Sequence, residues 1–149
     1  MDIWSWSLRT YGRPGVAEAC LRLQDAHGQN VPLLLWAAWA GARDPEFVGR
    51  AAEVARAWDA KAISPLRAVR RALKAVHPPV ADADREGLRE EVKAVELRAE
   101  RVLLETLAAL GPCAEKAPAL EALAAAAGAW SPENPPPREA LAVLAAALE

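Results

Sequence analysis

The chain has few of the residues that usually announce a chemistry. Two cysteines, Cys20 and Cys113, are too few for a disulfide framework, and both fall in helix-like apolar settings that suit reduced, buried thiols. The only histidines, His27 and His77, lie far apart, and neither they nor the cysteines have structural zinc spacing, so no metal and no cofactor is expected. No glycine-rich phosphate loop occurs, and Ser5 and Ser7 lack a nucleophile-elbow context. Asp25 and His27 are two apart, which on a helix points them nearly opposite ways and leaves capping or surface hydrogen bonding as the use of His27. The longest uncharged apolar run, Val31 to Ala42, is 12 residues, short of the roughly 18 that suggest a membrane span. No basic and apolar leader opens the chain, so a cytoplasmic protein that stays off the membrane is expected. A formal net charge of −2 excludes a chain-wide basic character.

Strand-like alternation is also missing; apolar residues recur at helical spacing instead. With 149 residues, 53% hydrophobic and 26% charged, residues 1–149 are expected to form one helical domain. Thirty-six residues are alanine, which fills space between close helices but buries little area, so the few large residues must supply most of the core energy. Capping residues and prolines mark the boundaries. Asp2 precedes a short first helix, Arg13-Pro14-Gly15 leads into a second ending at Gly28, and Asn30 caps an all-apolar third from Val31 to about Ala40. Asp44-Pro45 starts a fourth, and Ser64-Pro65 starts a fifth that ends at His77-Pro78-Pro79. A long helix spans about Ala83 to Leu110, a seventh about Ala114 to Ala127, and a last one begins near Arg138. The proline-rich connector 131–137 is too rigid for a free hinge. Expected inward residues include Ala17, Leu21 and Gln24 on the second helix, Leu66, Val69, Leu73 and Val76 on the fifth, and Leu88, Val92, Val95, Ala99, Val102, Leu103 and Leu107 on the long one. The fold class is all-α, an orthogonal or irregular bundle of six to eight helices.

Charge is unevenly placed. Residues 50–77 carry a local net of +5, whereas residues 78–149 carry −6. Arg67, Arg70, Arg71 and Lys74 form one stripe at helical spacing. Clustered cations are able to receive phosphates or an acidic partner. The plainer alternative pairs the stripe with the acidic face of the long helix, with Glu86, Glu90 and Glu91 as candidates. Nucleic acid is disfavoured because no aromatic platform interleaves the stripe.

Five of the eight aromatic residues (Trp4, Trp6, Tyr11, Trp36 and Trp39) fall in residues 1–41. A pocket between the first three helices, lined by Trp4, Trp6, Tyr11, Gln24 and Trp39 with Arg9 or Arg13 at its mouth, would suit a small ligand. A core amide at Gln24 and structural tryptophans are the competing reading. Arg9 and Arg13 could equally pair with Asp25 or Glu18.

The run Trp4-x-Trp6-Ser7-Leu8-x-x-Tyr11-x-x-Pro14-Gly15-Val16-x-x-Ala19-Cys20-Leu21-x-Leu23-Gln24-Asp25-x-x-Gly28 resembles the opening of a proteobacterial family of small proteins defined by a domain of unknown function. Asn30-Val31-x-Leu33-Leu34-Leu35-x-x-x-Trp39 looks like the second half of that signature. Pro32 departs from it where a polar residue is usual, and Trp36 where phenylalanine is usual. The resemblance implies a cytoplasmic bacterial helical protein and no particular reaction.

Two functions follow from these features. One is a non-enzymatic interaction or adaptor module that docks another protein through exposed tryptophans or the basic helix. The other is a small-ligand protein or enzyme built on the tryptophan-lined pocket. A homodimer through the long or the last helix is compatible with either.

Overall fold

A computed structural model describes residues 1–149 as eight α-helices with no strand. They are α1 (Ile3–Tyr11), α2 (Val16–His27), α3 (Val31–Ala40), α4 (Pro45–Trp58), α5 (Ser64–Ala72), α6 (Asp82–Ala108), α7 (Ala119–Trp130) and α8 (Arg138–Leu148).

Three helix starts are fixed by side chains that accept an orphan amide of the first turn. Asp2 accepts from the Ser5 amide, Asn30 from that of Leu33 and Asp44 from that of Phe47, each at 2.9 Å. Gly28 ends α2 in the left-handed conformation at φ 61°, which a side chain would resist.

With almost no polar side chain, α3 has nowhere to go but the middle. It is packed by α1, α2, α4, α6 and α7. Leu33, Leu34, Leu35, Trp36 and Ala37 are buried there, and the Trp36 ring meets Phe47 edge-on at 5.4 Å. The small side chains of Ala122, Ala126 and Ala127 let α7 lie close against α3 and α4. Leu141 and Leu144 bury α8 on α2 and α7. Arg13 donates to the Leu148 carbonyl, so it caps α8 rather than pairing with Asp25 or Glu18. The 131–137 connector is held at its entry, where the Trp130 indole donates to the Gly28 carbonyl at 2.8 Å and Gln29 donates to Ser131 at 3.1 Å.

The expected break before Ser64 does not occur. The chain runs from α4 into α5 through a single π turn, Asp59–Ile63, in which the Ser64 amide reaches back five residues to the Asp59 carbonyl. Ser64 does not cap a helix; its hydroxyl donates to the Asp59 carboxylate at 2.6 Å, and Asn30 approaches the same carboxylate at 3.4 Å. Burial of Ile63 holds the turn against the core.

Burial also departs from expectation on the outer helices. Ala17 and Leu21 are exposed on α2, and Gln24 is a half-exposed residue whose amide reaches only Asp25, at 3.4 Å. The buried amides are those of Gln29 and Asn30. The fifth helix ends at Ala72, so Val76 lies beyond it, and Val69, Val76, Leu88, Val95 and Val102 all face solvent; α5 packs on α6 and the π turn and on little else.

Candidate interaction surface

The α5–α6 pair is an antiparallel hairpin closed by charge. Glu96 is 8% exposed and accepts from Arg67 Nε at 3.2 Å and from Arg70 Nε at 2.5 Å. Arg67 also reaches Glu100 at 3.6 Å, and Arg71 ties α5 to α2 through Asp25 at 3.2 Å. Nearer the tip, Arg85 is buried and donates to the Leu73 carbonyl at 2.7 Å and that of Lys74 at 3.2 Å, satisfying the end of α5. Arg89 donates to the Arg70 carbonyl at 3.3 Å. A buried ion lattice of this kind adds little net stability over an apolar core, but it fixes which residues meet.

The basic stripe is therefore mostly consumed within the molecule. Its partners are Glu96, Glu100 and Asp25 rather than Glu86, Glu90 or Glu91; Glu86 pairs with Arg85, and Glu90 with Lys93. Helix phase explains this. Glu96 and Glu100, four apart, share the face that meets α5, whereas Glu86, Glu90 and Glu91 are exposed. Only the Lys74 side chain has no carboxylate partner among the four.

Glu100, 27% exposed, sits between Glu96, Arg67 and the rim residue Tyr11. Burial, and then the Glu96 charge, push its carboxyl up to about 7, against the pull of Arg67 and Arg70. Burial also raises the phenol of Tyr11, followed by its neighbours Cys20 and Glu100, and it pushes the Cys20 thiol up to about 11. The native state thus holds the Glu100 proton more tightly than the unfolded chain, where the group titrates near 4.5. This contribution is complete below about pH 4.5 and is lost as pH rises to about 7. Compared by chemical denaturation, Glu100→Gln should match wild type near pH 4 and exceed it by about 3 kcal/mol at pH 8. An equal difference at both pH values would contradict the assigned environment.

The opposite edge of the hairpin is apolar. Val69 on α5, Val76 and Val80 in the connection that follows it, and Leu88, Val95 and Val102 on α6 are each between 40% and 64% exposed. The three on α6 recur every seven residues and so lie along one line. Asp84, Glu91, Arg98 and Glu105 flank the α6 line at the same interval, with a net acidic balance.

The aromatic candidates do not converge on one pocket. Trp4 lies under the Arg101 guanidinium, 5.1 Å from its ring centre, beside a groove bounded by Leu97 and Val102. Trp6, two residues on, faces another way and joins Trp39 at a cleft by the 109–118 connection. Tyr11 stands on the Cys20 and Glu100 side, near which Gln24 meets Asp25; Arg9 is exposed and has no ion partner. The expected pocket is thus divided among three places, because consecutive even positions on α1 point apart by about 200°. Missed from the sequence were Glu96, Glu100 and Arg85. Their signal was present as carboxylates four apart opposite arginines three apart, but apolar spacing decided the reading. No three His, Cys, Asp or Glu side chains converge as a metal site, and no helix is long and apolar enough to cross a membrane.

What fold and surface define is an all-α bundle whose α5–α6 pair is tied together by ion pairs and leaves a line of aliphatic side chains exposed. Residues 2–107 match the model of a family described as a protein of unknown function, DUF2390, and the chain belongs to that family. The matched region runs from the α1 cap almost to the end of α6 and so contains the whole hairpin. No curated protein and no solved structure matches the chain.

Proposed function

We propose that the chain is a single helical domain acting as a non-enzymatic interaction module, in a bacterial cytosol, and that it docks a helix of another protein on the apolar edge of the α5–α6 hairpin. The observation that carries this reading is the line Leu88, Val95 and Val102. Three large aliphatic side chains at seven-residue spacing in solvent form the seam that a second helix reads by inserting its own side chains between them. Val69 on α5 adds another exposed aliphatic side chain to the hairpin, and exposed apolar surface of this sort marks interaction sites. The acidic flank of Asp84, Glu91 and Glu105 favours a partner with basic residues beside its apolar stripe.

The basic stripe does not serve as the docking surface in this reading, since Arg67, Arg70 and Arg71 are engaged inside the molecule. The test compares tagged wild type with Leu88→Glu/Val95→Glu as baits. Both positions are exposed, so the fold, followed by circular dichroism, should survive. A partner retained by wild type and lost from the double variant supports the proposal. Equal retention by both would refute it. A concentration-dependent dimer on size exclusion, abolished by the double variant, would reassign the edge to a second copy.

A further inference from the structure

The 109–118 connection separates two adjoining clefts at the end of α3. One, of about 860 Å³, is bounded by Phe47, Arg50, Leu110 and Cys113; the other, of about 580 Å³, by Trp6, Trp39, Ala108 and Lys116. Gly111, Pro112 and Cys113 form the wall common to both. The wall is anchored at its base. Ala117 donates to the Gly41 carbonyl at 2.9 Å, and a Cβ on Gly41, already at φ +67°, would come within 2.9 Å of Lys116.

The charges around the clefts are not all balanced. Arg43 is held by Glu121 at 2.9 Å and Glu115 at 3.6 Å. Asp44 is occupied as the α4 cap. Arg50 stacks over the Phe47 ring at 5.5 Å and has no carboxylate within ion-pair distance, and the same is true of Lys116. Each cleft therefore has one unpaired cation, Arg50 beside Phe47 on one side of the wall and Lys116 beside Trp6 and Trp39 on the other. An Arg stacked on a ring keeps its donor edge free for an anionic oxygen, while tryptophan faces accept a flat apolar body.

We propose that the second cleft binds a small aromatic anion, a planar ring system bearing a carboxylate, sulfonate or phosphate, with Lys116 taking the charge and Trp6 and Trp39 the ring. The site is separate from the hairpin edge and does not depend on it.

Anilinonaphthalene sulfonate, a fluorescent aromatic anion, tests this directly, with phenylnaphthylamine as the same body without the charge. In fluorescence titrations, Lys116→Glu should weaken sulfonate binding about tenfold, the loss expected for one charge-assisted contact, and leave the neutral dye unchanged. Trp39→Ala should weaken both dyes. Arg50→Glu, across the wall, and Leu88→Glu/Val95→Glu should affect neither. Because Lys116 and Arg50 are exposed, circular dichroism should confirm intact folds, and Lys116→Gln gives a milder check. Sulfonate binding that is unchanged by Lys116→Glu, or that disappears with the hairpin variant, would overturn the proposal.

Discussion

Glu96→Ala should destabilise the fold by about 3 kcal/mol, the loss that follows removal of one partner from a buried ion pair. Two guanidinium groups depend on this carboxylate, and Arg67 and Arg70 are themselves only 15% and 21% exposed. Without Glu96 they must move to water, which requires α5 to move, or remain buried without a counter-ion. Urea denaturation near neutral pH reads the loss, and hydrogen exchange should locate it in α5 and the first half of α6. A contrasting variant isolates the cause. Replacing Arg67, Arg70 and Glu96 by leucine, together with Glu100→Gln so that the other carboxylate reached by Arg67 is not left behind, removes the stranded charge and should recover most of the lost stability. A Glu96→Ala variant as stable as wild type would mean that the lattice is solvated rather than structural. The same logic makes charge reversal at Arg70 and Arg71 a perturbation of hairpin geometry more than of surface charge.

Trp36→Ala should cost about 3–5 kcal/mol, the range for truncating a fully buried aromatic in a core with limited freedom to collapse. Trp36 is completely inaccessible and sits on the central helix, where it loses its edge contact with Phe47 on truncation. Its indole Nε1 is buried and has no hydrogen-bond partner, so the native residue already bears a desolvation cost. Trp36→Phe removes that orphan donor while vacating part of the ring volume. The two effects oppose each other, and the net change should be within about 1 kcal/mol. Thermal and urea unfolding of both variants measure the contrast. If phenylalanine costs as much as alanine, ring volume dominates and the orphan donor contributes nothing.

The side-chain-capped helix starts were the legible boundaries, because they are written in local chemistry; α5 ends at Ala72 rather than at His77, and α7 spans Ala119–Trp130 rather than about 114–127. Asp2, Asn30 and Asp44 cap their helices by accepting an amide three residues on, and Gly28 stops α2 through a backbone conformation that neighbours do not influence. The centrality of α3 followed from its lack of polar side chains. Which face of α6 is buried was not legible, because its sequence carries two competing lines. One is apolar, Leu88, Val95 and Val102; the other mixes charge with leucine, Arg85, Glu96, Leu103 and Leu107. Only knowledge that α5 turns its arginines toward α6 decides between them, and that is tertiary information. The same holds for Ser64-Pro65, which has the local form of a helix start but lies within a continuous helical run. The aromatic candidates failed in the other direction: closeness along the chain suggested a shared pocket that the angular step of α1 disperses.

The π turn has a consequence for the counting of residues. A helix that takes in one extra residue turns everything beyond it by about 100° relative to an uninterrupted helix. Deleting one residue between Asp59 and Ile63 would let α4 run regularly into α5 and rotate Arg67 and Arg70 off the line to Glu96. Which face of α5 meets α6 is thus a matter of arithmetic, fixed by the length of the five-residue segment that precedes it.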